Sequence, residues 1–123
     1  MEVVVIRKNG GFYYVLDNDA IVVSYLTNYK IINGRCGFPL NSLSKVTNLL
    51  EDNTINYVVR ENMKDIDNRN YKKMNRYSVV LEKGKKKFDI DYRINDMVEK
   101  IKLLDYDKLS DLLDMIEEYC NEQ

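Results

Sequence analysis

The chain contains no histidine. That removes histidine general acid–base work, Ser–His and Cys–His nucleophile pairs, and the usual zinc sites. It has two cysteines, Cys36 and Cys120, far apart and in no CxxC pair. They read as reduced thiols rather than as a disulfide framework. No apolar run approaches the roughly 20 residues that span a bilayer. The longest, Ala20 to Leu26, is interrupted by Ser24. The start, MEVVVIRKNGG, has neither a basic n-region nor a long apolar h-region, so a soluble, cytoplasmic protein is expected. No tight acidic motif proposes a metal. These absences leave no catalytic residue, no metal ligand and no cofactor to assign, and the chain is not expected to be an enzyme.

What is present is a chain of 123 residues with 45% hydrophobic content, enough for one domain with a buried core. Its net charge of −1 conceals a division. Residues 1–57 are balanced, with five basic and five acidic side chains. Residues 58–87 carry ten basic and four acidic, and residues 88–123 carry four basic and eleven acidic. A basic segment is thus followed by an acidic one.

Val3 to Arg7 reads as a buried strand from its β-branched run. Asn9-Gly10 is a strong hairpin signal, because both turn positions of that hairpin type need φ > 0. Gly11 to Leu16 is then the return strand. Asp17 or Asn18 caps a following helix. Ala20 to Leu26 is ambiguous, since its β-branched residues favour strand and the acidic start favours helix. Tyr29 to Ile32, the turn Asn33-Gly34 and Arg35 to Phe38 predict a second hairpin, ended by Pro39, the only proline. Asn41 or Ser42 caps a helix carrying Leu43, Val46, Leu49 and Leu50 on one face, up to about Asp52. Thr54 to Arg60 reads as a strand.

Residues 61–74 read as a loop or a marginal helix. Arg76 to Lys83 reads as a strand, broken by Gly84. From Asp91 onward Ile94, Met97, Val98, Ile101 and Leu104 repeat at helix spacing. With Asp107 as N-cap, Leu109, Leu112, Leu113, Ile116 and Tyr119 carry a second stripe. The two stripes predict an antiparallel helical hairpin.

The run Gly10-Gly11-Phe12-Tyr13-Tyr14-Val15-Leu16-Asp17-Asn18-Asp19-Ala20 resembles the G-x-F-Y-E-L-F-x-D-D-A motif of the amino-terminal, mismatch-recognition domain of MutS proteins. Gly37-Phe38-Pro39 matches that domain's G-(I/V)-P step. Leu43, Val46, Leu49 and Leu50 match its helix, and Tyr57-Val58-Val59-Arg60-Glu61 its last strand. The resemblance covers residues 2 to 61. It implies that Ala20 to Leu26 is helical and that the fold is α/β, a mixed sheet flanked by helices. The expected organisation is a MutS domain I-like part, residues 1–88, with a helical hairpin, residues 89–123, packed on it as one structural unit. In the family the Phe wedges into the duplex and stacks on a mispaired base, while the Glu hydrogen-bonds it. Phe12 matches the Phe, and Tyr14 stands at the Glu position, where no carboxylate is available.

Two functions are expected from this. The first is a non-enzymatic nucleic-acid-binding accessory protein, taking DNA or RNA. In it Phe12 and Tyr14 are the stacking residues, alternating onto one strand face. Lys72, Lys73, Arg76, Lys83, Lys85, Lys86 and Lys87 are its phosphate-facing surface, gathered by strand and turn at one edge. A solvated hairpin face explains those cations equally well. The resemblance adds a retroelement reverse transcriptase as a partner, because small proteins similar to this domain occur beside such enzymes in bacteria. The second is a protein–protein adaptor or oligomerisation module, a homodimer included, with the helical hairpin as its interface. Tyr13, Tyr14, Tyr25, Tyr29 and Tyr57 form a wider candidate stacking platform, or serve as ordinary strand residues.

Overall fold

A computed structural model describes residues 2–122. It divides into two compact units, Met1–Phe88 and Asp89–Gln123. The fold is α/β, with a mixed five-stranded sheet and four helices.

The first unit is built on two central parallel strands. β1 (Val4–Asn9) pairs in parallel with β4 (Tyr57–Glu61). β2 (Phe12–Leu16) pairs antiparallel with β1, and β3 (Arg35–Pro39) antiparallel with β2. β5 (Lys64–Arg69) closes the other edge against β4, giving the order β3-β2-β1-β4-β5. Alternation fixes which face is buried. Val4, Ile6, Tyr13, Val15, Cys36, Phe38, Tyr57 and Val59 point one way into a single core. Ala20, Val22 and Val23 of α1 (Asp17–Thr27) and Val46 and Leu50 of α2 (Leu43–Asp52) share that core.

The run Ala20 to Leu26 is helical, as the resemblance implies, despite its β-branched residues. Neither Asp17 nor Asn18 caps it; the N-cap is Leu16, without a side-chain bond. Asp19 instead reaches sideways, accepting from the Val5 backbone N–H at 3.1 Å and from the Tyr77 hydroxyl. Val5 lies two residues beyond the last β1–β2 pair, Arg7 with Tyr14, so the carboxylate satisfies a backbone donor that β2 does not pair with.

Several expectations are corrected. The first hairpin turns at Gly10-Gly11, one residue later than Asn9-Gly10, with Asn9 paired to Phe12 and Gly10 at φ +60°. The second turn is as expected: Asn33 and Gly34 have φ of 52° and 74°, and Ile32 and Arg35 exchange backbone bonds of 2.9 and 3.0 Å. Tyr29 to Ile32, however, forms no strand beyond that bridge. No side chain of Asn41 or Ser42 caps α2. Residues 61–74 contain β5, which follows a turn at Asn62-Met63, both at positive φ. All six β5 residues are exposed, so no apolar pattern marks it; Arg60–Asp65 and Arg69–Glu51 ion pairs of 2.8 Å hold it in place.

The largest correction is Arg76 to Lys83, which from Tyr77 onward is helix and not strand. It opens α3 (Tyr77–Ile101), a single helix that crosses the division between the units. Asn75 Oδ1 accepts from the Tyr77 N–H at 3.2 Å and starts it. Tyr77, Val80, Leu81 and Gly84 are its buried residues, at i, i+3, i+4 and i+7, which is helical spacing. Gly84 breaks nothing. It lies where a Cβ would come 2.7 Å from Ile21 Cγ2 and 3.1 Å from the Ile21 carbonyl, so its missing side chain is what lets α3 approach α1.

In the second unit α3 runs on without a fresh start at Asp91, and α4 spans Tyr106–Asn121. Asp105, rather than Asp107, caps α4 by accepting from the Lys108 N–H at 2.9 Å. Among the described residues from Asp89 onward none is buried.

Candidate nucleic-acid interface

The face of the sheet opposite Tyr13 and Val15 carries the candidate site. Phe12 and Tyr14 lie on it, as strand alternation predicts. Phe12 is 60% exposed and Tyr14 half-buried. The strand registers place Tyr14 in one cross-strand row through all five strands: Gly37, Tyr14, Arg7, Arg60, Asp65. The adjoining row is Pro39, Phe12, Asn9.

Three arginines converge on this face. The Arg35 guanidinium carbon sits 4.3 Å from the Tyr14 ring centroid, a cation–π contact that presents the ring and a cation together. Arg7 is beside Tyr14 in the row and has no ion pair among the described residues. Arg60 is next, held by Asp65 at 2.8 Å, so its charge is largely answered. Gly37, on the other side of Tyr14, contributes no side chain.

Two depressions border the aromatics. One of about 750 Å³ is lined by Phe12, Tyr29, Ile32, Arg35, Gly37 and Pro39 among others. The other, about 670 Å³, is lined by Arg7, Lys8, Tyr14, Arg60, Met63 and Asp65 among others. Each joins apolar surface to cationic groups, which suits a flat apolar ring carrying a nearby phosphate.

Of the other tyrosines of the wider platform, Tyr29 lines the first depression, while Tyr13, Tyr25 and Tyr57 do not join the site. Tyr13 and Tyr57 are buried. The Tyr13 hydroxyl donates to Glu61 Oε1, and that bond, with burial and the Glu61 charge, pushes its pKa up to about 12. Tyr29 stacks on Phe38 with ring centroids 6.0 Å apart. Tyr25 packs against the core from α1.

The lysine-rich segment is not gathered by a hairpin. Lys72 and Lys73 sit in a short 3-10 turn (Lys72–Met74), and Arg76 directly precedes α3. The Arg76 N–H donates to the Thr54 carbonyl and Asn75 Nδ2 to that of Glu2, both ahead of the starting ends of β4 and β1. Phe12 pairs with Asn9 at the far end of β1. Six residues of strand, roughly 17 Å, separate the two. On α3, Lys83, Lys86 and Lys87 stand at i, i+3 and i+4 and share one helical face, while Lys85 is turned away from it. Lys85 lies 3.7 Å from Glu82, and Lys87 donates to Asn28 Oδ1 at 2.6 Å.

Arg7, Arg35 and Arg60 were not singled out in the sequence. Arg7 was within reach: once the first hairpin's register is known, it stands opposite Tyr14. Arg60 was not, because its place depends on the parallel β1–β4 pairing, which leaves no local signal.

Both cysteines are free thiols. Cys36 is buried, and desolvation pushes its pKa up to about 11. Cys120 is exposed and unpaired. Among the described residues no group of three or more Cys, Asp or Glu is placed to hold a metal ion, and no helix is long and apolar enough to cross a membrane. The chain matches no protein-family model and no curated protein.

Proposed function

We propose that this protein is a non-enzymatic nucleic-acid-binding accessory protein related to the MutS mismatch-recognition domain, and that it binds through the outer face of its sheet. The observation that carries the reading is the row Gly37–Tyr14–Arg7, with the Arg35 guanidinium over the Tyr14 ring and exposed Phe12 beside it. Aromatic faces stack on bases and arginines take phosphates, and here both occur on one surface. The resemblance supports the same face, since Phe12 is its wedge position. Tyr14 in place of the family Glu replaces a base-reading carboxylate with a second ring, which shifts the site from mismatch reading towards stacking. A retroelement reverse transcriptase is the protein partner that the resemblance suggests.

The test is fluorescence anisotropy with matched duplex, mismatched duplex, single-stranded DNA and RNA at two salt concentrations. Salt-weakened binding that is reduced by Phe12→Ala is expected. Flat traces with every probe would sink the reading.

One observation favours an adaptor instead. In the second unit Ile94, Met97, Val98, Leu113 and Ile116 are all at least 41% exposed, an apolar surface that a protein partner or a second copy would cover. Flat anisotropy traces together with a concentration-dependent oligomer are what that reading expects.

A further inference from the structure

Resting on the nucleic-acid reading above, we infer that the occupant of the sheet face is a single strand in an extended conformation, with bases on Phe12 and Tyr14 and its backbone along Arg7 and Arg35. Three features of the face select that form over a duplex.

The first is spacing. Phe12 and Tyr14 are two residues apart on one strand, so their side chains leave the sheet roughly 6.6 Å from each other. Bases within a duplex strand rise by about 3.4 Å. A strand that lays one base on each ring must therefore be stretched to about twice the duplex rise, which a paired strand cannot do without opening.

The second is that the rings lie within the sheet. Phe12 is flanked in register by Pro39 and Asn9, and Tyr14 by Gly37 and Arg7. A duplex shows no base faces along its length to a flat surface, whereas an unpaired base offers its whole face. Sheet faces bearing aromatics are a general solution for unpaired bases for this reason.

The third is Gly37. A Cβ built there meets only the Tyr13 carbonyl oxygen, at 3.7 Å, an ordinary contact, and its φ is not in the left-handed region. The backbone thus does not require glycine. The missing side chain leaves open the space over β3 between Tyr14 and the depression that Phe12 lines. That opening is where the base on Tyr14 passes towards the one on Phe12.

The stacking needs no 2′-hydroxyl, so single-stranded DNA and RNA both fit. The cations also match. Arg7 adjoins Tyr14 with no ion pair among the described residues, and Arg35 covers one face of the Tyr14 ring, leaving the opposite face for the base, while Arg60 is held by Asp65.

The experiment titrates labelled oligothymidine and oligouridine 12-mers, a 12-base-pair duplex and the same duplex with one mismatch into the full chain. The same titrations are repeated on Gly37→Leu, Tyr14→Ala and Tyr14→Phe, with thermal melts alongside. Single strands are expected to bind about tenfold or more tightly than either duplex. Gly37→Leu is expected to lose about tenfold in single-strand affinity with an unchanged melt, because it fills the space over β3. Tyr14→Ala is expected to lose as much, and Tyr14→Phe to bind like the parent. Should Gly37→Leu melt early, the Tyr14 pair reads the same platform without altering β3. Equal or tighter duplex binding overturns the single-strand assignment while leaving nucleic-acid binding intact, as does a folded Gly37→Leu that binds like the parent. No binding to any probe overturns both.

Discussion

The Asp19 carboxylate accepts from the Tyr77 hydroxyl with one oxygen and from the Val5 backbone N–H with the other, joining the start of α1 to β1 and to the first residue of α3. Burial raises the Asp19 pKa above its ordinary 3.8, and the two hydrogen bonds and Arg7 only partly offset it. Tyr77→Phe leaves the half-buried carboxylate with one donor and is expected to cost about 1–2 kcal/mol in urea denaturation. The folded state holds the Asp19 proton more tightly than the unfolded chain does. Stability from this group is therefore greatest below pH 3.8 and declines as pH rises from there through the folded pKa. Removing the Tyr77 bond raises the folded pKa further, so the decline still begins at pH 3.8 but extends to higher pH. Denaturation of both proteins between pH 3 and pH 7 checks it, and parallel pH curves would refute it.

Gly84 gives a second prediction, and its sign runs against helix propensity. Alanine is favoured over glycine inside a helix by about 1 kcal/mol. At position 84 the added methyl would stand 2.7 Å from Ile21 Cγ2, so α3 must shift away from α1. Overpacking of this kind costs about 1–3 kcal/mol. Gly84→Ala is expected to lower the melting temperature, and pairing it with Ile21→Ala to recover part of the loss as a coupling energy. A stabilised Gly84→Ala would show that the helices do not meet as closely as this.

How far the sequence reveals the fold depends on how local each signal is. The first hairpin, the second turn and α2 follow from glycine turns and a 3.6-residue stripe, all readable within a dozen residues. β5 is invisible because an exposed edge strand has no buried face to pattern, and its turn at Asn62-Met63 uses two positive-φ residues without glycine. Tyr77 to Gly84 misleads because Val79-Val80 favours strand, whereas the deciding features are the Asn75 bond to the Tyr77 N–H and the spacing of Tyr77, Val80, Leu81 and Gly84. The site divides in the same way. Phe12 and Tyr14 are placed by alternation alone, while Arg35 and Arg60 reach them only through tertiary pairing.

The arginines and the lysines should behave differently in binding. Each phosphate neutralised on a single strand contributes about −0.7 to the slope of log affinity against log salt. Arg7→Ala is expected to weaken single-strand binding and reduce that slope by about 0.7, since Arg7 adjoins Tyr14 and has no ion pair among the described residues. Replacing Lys85, Lys86 and Lys87 together by alanine is expected to change the slope by less than Arg7→Ala does. Lys85 is turned away from the helical face of Lys86 and Lys87 and lies near Glu82, while Lys87 is bonded to Asn28. Salt titrations of the two variants decide the matter. A larger effect from the lysines would move the phosphate surface to α3.

The two units should also differ in how often they open. β1 and β4 pair side by side at the centre of the sheet, with Val4, Ile6 and Val59 fully buried. α4 has no buried residue, and among the described residues from Asp89 onward none is buried either. Local opening costs least where few apolar contacts are lost. In dilute protein, amides of 106–121 are therefore expected to exchange far faster than those of β1 and β4 by hydrogen-exchange mass spectrometry. Repeating the measurement at high concentration tests for a cover. If the helices are buried between copies, their protection rises with concentration while that of β1 and β4 does not change. Protection of α4 equal to that of the central strands at every concentration would refute the difference in local stability, because a helix without buried residues has nothing within its own unit to supply it.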